Sequence, residues 1–228
     1  MQNKYRHELK YLVDERDLVL LENKLTGLIK TDKHYENGAY EIRSAYFDDY
    51  KDTALKQNIM GVSPRFKYRI RIYNGDDSYI HLEKKIKNHD MTRKESCNLS
   101  YEECQRLLDG QYQIQPQDED FLKQFKAYAA MNLLKPKVVV AYERKAFICP
   151  EGNVRITFDR NISAATEIGQ FFDKDIGKRP IMPSGKHVLE VKYDEFMPRY
   201  IKAALNTGKL DRTTFSKYYL CRKYSIGT

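Results

Sequence analysis

The sequence predicts an α+β fold in which eight β-strands, several of them joined as hairpins, alternate with inserted helices. Residues 65–72 alternate strictly between basic and apolar side chains, as a β-strand with one apolar face does. The turn sequence at 74–77 joins this strand to another at 78–87. Leucines within 14–29 recur at helical spacing. Eight strands suffice to close a barrel that holds side chains or one ligand.

The first half of the chain begins with a strand and an amphipathic helix. Asp14 is suited to cap this helix because its carboxylate can accept hydrogen bonds from amides of the first turn. The elements predicted in this half are a strand at 4–13, a helix from Asp14 to about Ile29, a strand at 40–48, a helical turn at 52–58, and the strands that begin at 65 and 78.

The second half continues with a strand at 91–98, and Ser100 with Glu103 then forms a helix-capping box. The remaining predicted elements are helices at 100–108, about 120–132, 196–205 and about 214–224, and strands at 137–148, 153–162 and 187–194, with loops over 163–186. No Pro/Gly/Ser-rich linker divides the chain, so we expect residues 1–228 to form a single domain.

The composition narrows the classes of partner. The net charge of +8 favours anions such as nucleotides, nucleic acid or polyphosphate. No apolar run approaches the ~18 residues of a membrane span, and the N-terminus lacks the apolar stretch of a secretory signal. The cysteines form no CxxC pair, so we expect neither structural zinc nor a disulfide framework. These features together predict a cytoplasmic protein.

In most predicted strands, the face opposite the apolar one carries charge. The cations on these faces are Arg6, Lys10, Arg65, Lys67, Arg69, Arg71, Lys85, Arg144, Arg155 and Lys192. The carboxylates are Glu8, Glu83, Asp159 and Glu190. These faces could form a solvated outer surface or the lumen of a barrel. They contain few Ser, Thr, Gln and Asn residues, which favours the lumen.

Enclosure would make such a row of cations unstable by itself. Neighbours on one face of a strand lie roughly 7 Å apart. Each adjacent pair therefore repels by about 2.4 kcal/mol at an effective dielectric of about 20, and by about 0.6 kcal/mol in water. An enclosed row requires a polyanion or interleaved carboxylates, whereas an exposed row requires neither. In a lumen, Arg and Lys would hold phosphates and the carboxylates a divalent cation.

The sequence also limits how phosphates could be held. It contains neither a P-loop nor a glycine-rich dinucleotide-binding loop. Phosphoryl transfer depends on charge neutralisation and in-line positioning more than on covalent catalysis. A basic lumen could supply both without such a loop.

Eight short motifs, in order along nearly the whole chain, resemble those of one family. They are Arg6-x-Glu8-x-Lys10, Tyr46-Phe47-Asp48, Lys67-x-Arg69-x-Arg71-x-Tyr73, Leu82-Glu83-x-Lys85, Tyr142-x-Arg144, Val154-Arg155-x-x-x-Asp159, Leu189-Glu190-x-Lys192 and Phe215-Ser216-Lys217-Tyr218. This pattern resembles the VTC domain, the polyphosphate polymerase module that belongs with the CYTH proteins to the triphosphate tunnel metalloenzymes.

The resemblance implies an eight-stranded antiparallel β-barrel, or tunnel, with helices packed around it. It implies an enzyme that transfers the γ-phosphate of ATP onto polyphosphate with Mn²⁺ or Mg²⁺. The central catalytic cations would be Lys10, Arg69, Arg71 and Lys217. Further phosphate-binding residues would be Arg6, Lys67, Lys85, Lys94, Arg144, Arg155, Lys192 and Ser216. Glu190 would hold the metal, assisted by Glu8, Glu83 or Asp159.

Two departures from the family pattern bear on the activity. Asn58 stands where the family often has a cation, and Arg6 stands where CYTH hydrolases have the first glutamate of Glu-x-Glu-x-Lys. One carboxylate fewer should weaken a second metal site, which favours a polymerase over a triphosphate hydrolase. Some of these residues also have simpler roles: Glu190 could pair with Lys192 in the sheet, and Ser216 could cap a helix.

Three alternatives to the polymerase stay open at this point. They are a CYTH-like triphosphate hydrolase, a non-catalytic polyphosphate- or nucleotide-binding module, and a nucleic-acid-binding module. The last is disfavoured because aromatic side chains usually lie among the cations of such a surface, and only Tyr73 does so clearly here. We therefore expect ATP and polyphosphate as partners, no nucleic acid, and a separate membrane protein if the product is exported.

Overall fold

Eight antiparallel strands close into a barrel in the computed structural model, which describes residues 4–32, 39–206 and 210–226. The described residues contain ten strands: β1 (Arg6–Asp14), β2 (Lys30–Thr31), β3 (Tyr40–Asp48), β4 (Arg65–Tyr73), β5 (Asp76–Asn88), β6 (Met91–Leu99), β7 (Lys135–Cys149), β8 (Val154–Ala165), β9 (Arg179–Pro180) and β10 (Lys186–Tyr193). The two-residue strands β2 and β9 pair with β7 and β8, and the other eight form the barrel. The barrel order is β7-β3-β4-β5-β6-β1-β10-β8, and β8 pairs with β7 to close it. The predicted α+β fold with an eight-stranded antiparallel barrel is confirmed.

Short turns fix the register of the basic strand. Asn74 and Gly75 both adopt positive φ angles, 53° and 70°, as a two-residue hairpin turn requires. Tyr73 therefore pairs with Asp76, and β5 begins two residues earlier than predicted. A second tight turn at His89-Asp90 joins β5 to β6. These turns place the side chains of β4, β5 and β6 in fixed opposite pairs.

The described residues form six α-helices. They are α1 (Glu15–Thr26), α2 (Thr53–Ile59), α3 (Tyr101–Leu108), α4 (Asp120–Asn132), α5 (Arg199–Leu205) and α6 (Lys217–Ile226). Asp14 and Ser100 cap their helices as predicted, since Asp14 accepts from the Asp17 amide and Ser100 from the Glu103 amide. The Glu103 carboxylate of the predicted capping box pairs instead with Arg106 and Lys126. None of these helices combines the length and the apolar character needed to cross a membrane.

The apolar faces of the strands pack outward against the helices. One core cluster joins β4 and β5 to α3 and α4 through residues such as Ile70, Leu82 and Phe125. A second joins α1 and α5 to β8 and β10 through Leu21 and Phe158, among others. Because side chains alternate along a strand, this packing turns the opposite, charged faces into the barrel.

Helix α6 covers one part of the barrel interior. Val138, Val140 and Tyr142 lie on the same face of β7 as the charged Arg144, and they belong to one apolar cluster with Tyr218 of α6. The Tyr218 hydroxyl donates to Asp48 Oδ2 at 2.6 Å. The C-terminal helix is thereby fixed against β3 and β7.

Asp48 connects α2, β3 and α6 and should carry substantial stability. Its carboxylate accepts from the amides of Ala54 (2.9 Å) and Leu55 (3.0 Å) as well as from Tyr218. Replacing Asp48 by Ala should lower the free energy of unfolding by roughly 3 kcal/mol, because buried charge-assisted hydrogen bonds and a helix cap are lost. Urea denaturation would measure the change.

The exposed carboxylate of Asp77, near the start of β5, gives a matched control. Asp77→Ala should leave the urea midpoint unchanged, and Tyr218→Phe should cost about 1 kcal/mol because a single hydrogen bond is removed. Equal midpoints for Asp48→Ala and Asp77→Ala would contradict the role assigned to Asp48.

Candidate functional site

The charged faces of the strands surround a cavity of about 760 Å³ inside the barrel. Most of the site residues predicted from the sequence line this cavity. They are Glu8, Lys10, Lys67, Arg69, Arg71, Lys85, Arg144, Glu190, Lys192, Ser216 and Lys217. The lumen, and not a solvated outer surface, is therefore the location of these faces. Cations outnumber carboxylates in this lining.

Arg69 is fixed by a carboxylate and a phenol. It lies opposite Glu83 on one neighbouring strand and opposite Tyr46 on the other. Its Nε donates to Glu83 Oε2 at 2.6 Å, and its Nη1 donates to the Tyr46 hydroxyl at 2.8 Å. Burial raises the pKa of Glu83, but Arg69 and Arg71 outweigh this effect, so that its pKa lies well below the usual value. Glu83 is thus a buried anion that orients the guanidinium.

Arg71 is held more loosely by neutral groups. Its Nε donates to Ser44 Oγ and its Nη2 to the Tyr142 hydroxyl, both at 3.2 Å. Its nearest carboxylate, Glu83, is 3.9 Å away. Arg71 therefore retains most of its capacity to donate hydrogen bonds to an anion in the cavity.

Arg144 and Lys217 share a carboxylate that has no exposed surface. Arg144 donates two hydrogen bonds to Asp159, at 2.6 and 2.8 Å, and Lys217 Nζ lies 2.5 Å from Asp159 Oδ2. Burial raises the pKa of Asp159, but Arg144 and Lys217 overcome this and lower it. Lys217 also lies over the ring of Tyr142, 4.8 Å from its centroid. The first residue of α6 is thus tied to the barrel wall.

Glu8 and Glu190 lie among three lysines that face the cavity. Lys85 donates to Glu8 at 2.8 Å, and Lys192 pairs with Glu190 at 2.9 Å. Lys10 is 3.4 Å from Glu190 and 3.8 Å from Glu8. Burial raises the pKa of Glu8, but Lys10 and Lys85 lower it to about 2. The in-sheet pair of Glu190 with Lys192, the simpler role considered from the sequence, is present in the structure.

The environment disfavours the protonated form of two lysines of the lining. Within the described residues, Lys67 has no carboxylate at ion-pair distance, and it donates to Asn58 Oδ1 at 2.5 Å and Ser216 Oγ at 3.2 Å. Burial, followed by the charges of Lys10 and Lys85, lowers its pKa well below the usual value. Burial also lowers the pKa of Lys85 to about 7, despite its contact with Glu8. A polyanion bound in the cavity would stabilise the protonated form of both lysines.

Some nominated residues lie away from the cavity lining. Arg6 donates to Asp194 Oδ1 at 2.7 Å and to the backbone carbonyl of Asn153. Arg155 donates to Asp32 Oδ2 at 2.6 Å. Lys94 is 49% exposed and reaches Glu83 at 2.8 Å. Glu83 and Asp159 likewise stand behind the lining and hold its cations in place.

Sequence reasoning missed several polar groups of the site. It gave Tyr46 no role in the site, yet the hydroxyl of Tyr46 accepts a hydrogen bond from Arg69 while its ring is buried. It did not foresee that Asn58 holds Lys67, or that the carbonyl of Phe215 accepts from Lys10 at 2.9 Å. The signal for Tyr46 was its position, because it shares a strand face with Ser44 and Asp48.

The carboxylates of the cavity could bind a divalent metal ion together with a phosphate ligand. No three or more His, Cys, Asp or Glu side chains within residues 4–32, 39–206 and 210–226 are grouped so that they could hold a metal by themselves. Glu8 and Glu190 both line the cavity and both lie near Lys10. Mg²⁺ is commonly held by one or two carboxylates together with phosphate oxygens and water. The arrangement therefore fits a divalent ion that binds together with a phosphate ligand.

Comparisons with known proteins agree with this architecture. The model of the VTC domain family matches residues 5–226. No curated protein sequence matches the chain. Among solved structures, a Bacillus halodurans protein described as a candidate adenylate cyclase is 14% identical with a TM-score of 0.55, and the match covers 95% of this chain and 96% of that one.

Two further solved structures are similar over nearly their whole length. A candidate adenylyl cyclase from Hippeastrum, described as having a dominant triphosphatase activity, is 11% identical, with 97% of this chain and 96% of that chain covered and a TM-score of 0.55. A candidate adenylate cyclase from Vibrio parahaemolyticus is 16% identical, with 96% and 98% covered and a TM-score of 0.53. At these identities the likeness concerns the fold.

The dependence of Arg144 and Lys217 on Asp159 can be tested by stability. Asp159→Asn should lower the free energy of unfolding by roughly 3–5 kcal/mol, because it leaves two enclosed cations without their carboxylate. Thermal and urea denaturation would measure this loss. Glu195→Gln removes the carboxylate of an exposed pair with Lys4 and should have no measurable effect. A stable Asp159→Asn protein would refute the structural role of this ion-paired cluster.

Proposed function

The chain belongs to the VTC domain family, and from this membership we propose that it is a metal-dependent polyphosphate polymerase that uses ATP. The observation that carries the proposal is the cavity inside the barrel, which Arg69, Arg71 and several lysines line together. Such a site has more positive charge than its own carboxylates neutralise. A chain of linked phosphates has the shape and the charge density to neutralise the remaining positive charge.

Two arginines are placed to orient the phosphate that is transferred. Glu83 and Tyr46 fix Arg69, and Ser44 and Tyr142 orient Arg71. Guanidinium groups held in this way can bind phosphate oxygens in a defined geometry and stabilise the charge that spreads over them in the transition state. Lys10 of β1 and Lys217 of α6 add positive charge to the same cavity.

The reaction requires little proton transfer by the protein. A terminal phosphate oxygen of the polyphosphate chain forms a bond to the γ-phosphorus of ATP, the bond from that phosphorus to the β–γ bridging oxygen breaks, and ADP leaves. The attacking oxygen is already anionic, so no general base is needed. Mn²⁺ or Mg²⁺, held by Glu190 and Glu8 with phosphate oxygens, would supply further charge neutralisation.

A triphosphate hydrolase is the second candidate. The same cavity would bind the triphosphate, and water in place of a phosphate chain would be the acceptor. The triphosphatase activity described for the Hippeastrum protein, which shares the fold, motivates this alternative. The two activities differ in product, because a polymerase makes chains longer than triphosphate and a hydrolase releases orthophosphate.

Incubation with ATP and Mn²⁺ should yield polyphosphate longer than triphosphate, visible on a polyacrylamide gel. Arg69→Ala and Arg71→Ala should each reduce kcat by at least about 100-fold, as the loss of a preorganised donor to a transition-state oxyanion does. Arg93→Ala is the matched control, because Arg93 lies on the outer face of β6 and pairs with Glu95. Orthophosphate alone would indicate the hydrolase, and full activity in both variants would refute the assignment of this cavity.

Proton uptake should accompany binding of inorganic triphosphate. Lys85 in the empty cavity loses its proton as the pH rises through about 7, whereas a bound polyanion favours its protonated form. Affinity should therefore decline as the pH rises above about 7, and binding near pH 8 should consume protons. Isothermal titration calorimetry in two buffers of different ionisation enthalpy would measure this uptake.

The arginine variant at the same position separates Lys85 from the other titrating groups. Lys85→Arg keeps its charge throughout this pH range, so proton uptake should be smaller and the decline in affinity shallower. Lys84→Arg, on the opposite face of β5, should behave as the unmodified protein does. Equal proton uptake in all three proteins would exclude Lys85 as its source.

A further inference from the structure

One end of the barrel exposes a group of large apolar side chains. It is formed by residues 49–64, which include α2 and lie between β3 and β4, and by residues 131–135, where α4 leads into β7. We call these two segments the rim. Among the described residues, seven large apolar side chains are more than half exposed, and five of them belong to the rim. They are Tyr50, Ile59, Met60, Met131 and Leu133, with exposed fractions from 61% for Ile59 to 84% for Met131.

Strand pairing and packing bring the two segments of the rim together. Asp48 is the last residue of β3 and pairs with Lys135, the first residue of β7. The turns that contain Tyr50 and Leu133 are therefore adjacent. Residues of α2 and α4 line one small cleft, so these two helices also lie side by side. The rim is thus one connected surface, and it adjoins the cavity of the barrel, which Ile59 also lines.

Uncompensated positive charge lies among these apolar side chains. Lys51, Lys56 and Lys135 are exposed. No described carboxylate lies within 4.0 Å of the ammonium nitrogen of any of them. The ammonium group of Lys51 lies 5.3 Å from the centroid of the Tyr50 ring, so a cation and an exposed aromatic side chain occupy the same turn. A grouped apolar surface of this kind marks an interaction site, and the lysines require that its partner be anionic.

The acidic side chains of the rim do not supply that negative charge. The carboxylate of Asp49 accepts hydrogen bonds from the amides of Lys51 and Thr53, both at 2.9 Å. Asp52 pairs with Arg222 of α6 at 2.7 Å. Both carboxylates therefore stabilise the turn before α2 and its contact with α6, and the three lysines stay available to a partner.

The chemistry of the rim favours a lipid surface over a second copy of the chain. A second copy would bring the same lysines against one another, which is unfavourable. The exposed apolar side chains lie in turns and at helix ends, where they can enter a soft surface. A bilayer with anionic lipids accepts apolar side chains to a depth of about 5–10 Å, and its surface potential attracts each nearby lysine.

We propose that the rim binds the surface of a membrane that contains anionic lipids. Its apolar side chains lie among the headgroups, and its three lysines contact the lipid phosphates. The chain then lies on the membrane without crossing it, with the adjoining opening of the cavity next to the lipid. This inference concerns where the protein binds, and it does not depend on the reaction proposed for the cavity.

Co-sedimentation with vesicles tests the apolar contribution. The protein should bind an equal mixture of phosphatidylcholine and phosphatidylglycerol at least about tenfold more tightly than phosphatidylcholine alone, and salt should weaken this binding. Met60→Ser/Met131→Ser should lose at least about tenfold in affinity for the mixed vesicles, because two inserted side chains are removed. Tyr79→Ser/Phe196→Ser, which removes two exposed apolar side chains outside the rim, should lose less than about twofold.

The contribution of the lysines has a control of equal charge. Lys51→Gln/Lys56→Gln should lose at least about tenfold in affinity for the mixed vesicles. Lys24→Gln/Lys30→Gln removes the same charge from exposed positions of α1 and of β2, which pairs with the end of β7 remote from the rim. It should lose less than about twofold, because these lysines do not reach the lipid surface.

Tryptophan fluorescence reports insertion directly. The chain contains no tryptophan, so Met60→Trp and Met131→Trp each introduce a single indole. The emission of both variants should shift to shorter wavelength when mixed vesicles are added, because the indole enters a less polar environment. Tyr79→Trp places the same fluorophore outside the rim, and its emission should not shift.

Four results would overturn the proposal. One is unchanged vesicle binding by Met60→Ser/Met131→Ser together with unshifted emission from both rim tryptophans. Another is an equal loss in the two lysine variants, because binding would then depend on net charge alone. A dimer in lipid-free solution that Met60→Ser/Met131→Ser abolishes would assign the rim to a second copy. Release from vesicles by inorganic triphosphate would place the lipid phosphates inside the cavity and not on the rim.

Discussion

The confinement of like charges inside a closed β-barrel is the constraint on which the rest of this structure depends. Apolar faces that pack against helices force the opposite faces, rich in Arg and Lys, into the interior. Enclosing such cations is unfavourable unless anions lie beside them. Strand register supplies four of these, because Lys10 lies opposite Glu190, Lys192 opposite Glu8, Arg69 opposite Glu83 and Arg144 opposite Asp159.

The carboxylates compensate the arginines of the cavity better than its lysines, and the cavity therefore favours anions. Glu83 and Asp159 stand behind the lining and keep Arg69 and Arg144 in fixed orientations. Lys67 has only neutral acceptors within the described residues, and Lys85 has a pKa near neutrality although it contacts Glu8. The barrel is thus preorganised for an anion that it does not itself provide. Apolar packing between the barrel and the helices, notably in two core clusters, offsets the unfavourable free energy of confining these like charges.

Much of the fold was predictable because its signals are local. Alternation over 65–72 predicted β4, the turn at 74–77 predicted the hairpin, and Asp14 and Ser100 predicted helix starts that the structure contains. Helix ends were less accurate, since α1 ends at Thr26 where about Ile29 was predicted. Residues 163–186 were predicted as loop, yet β8 extends to Ala165 through its pairing with β7. Local patterns do not contain that pairing.

The sequence by itself determined which side chains share one face of a strand, because alternation along a strand follows from backbone geometry alone. Only the tertiary structure decided which of them meet. Arg6 and Arg155 show the same alternation as Arg69, yet they pair with Asp194 and Asp32 away from the cavity lining. Barrel closure, strand register and the position of α6 set these partners, and each depends on contacts between residues far apart in the chain.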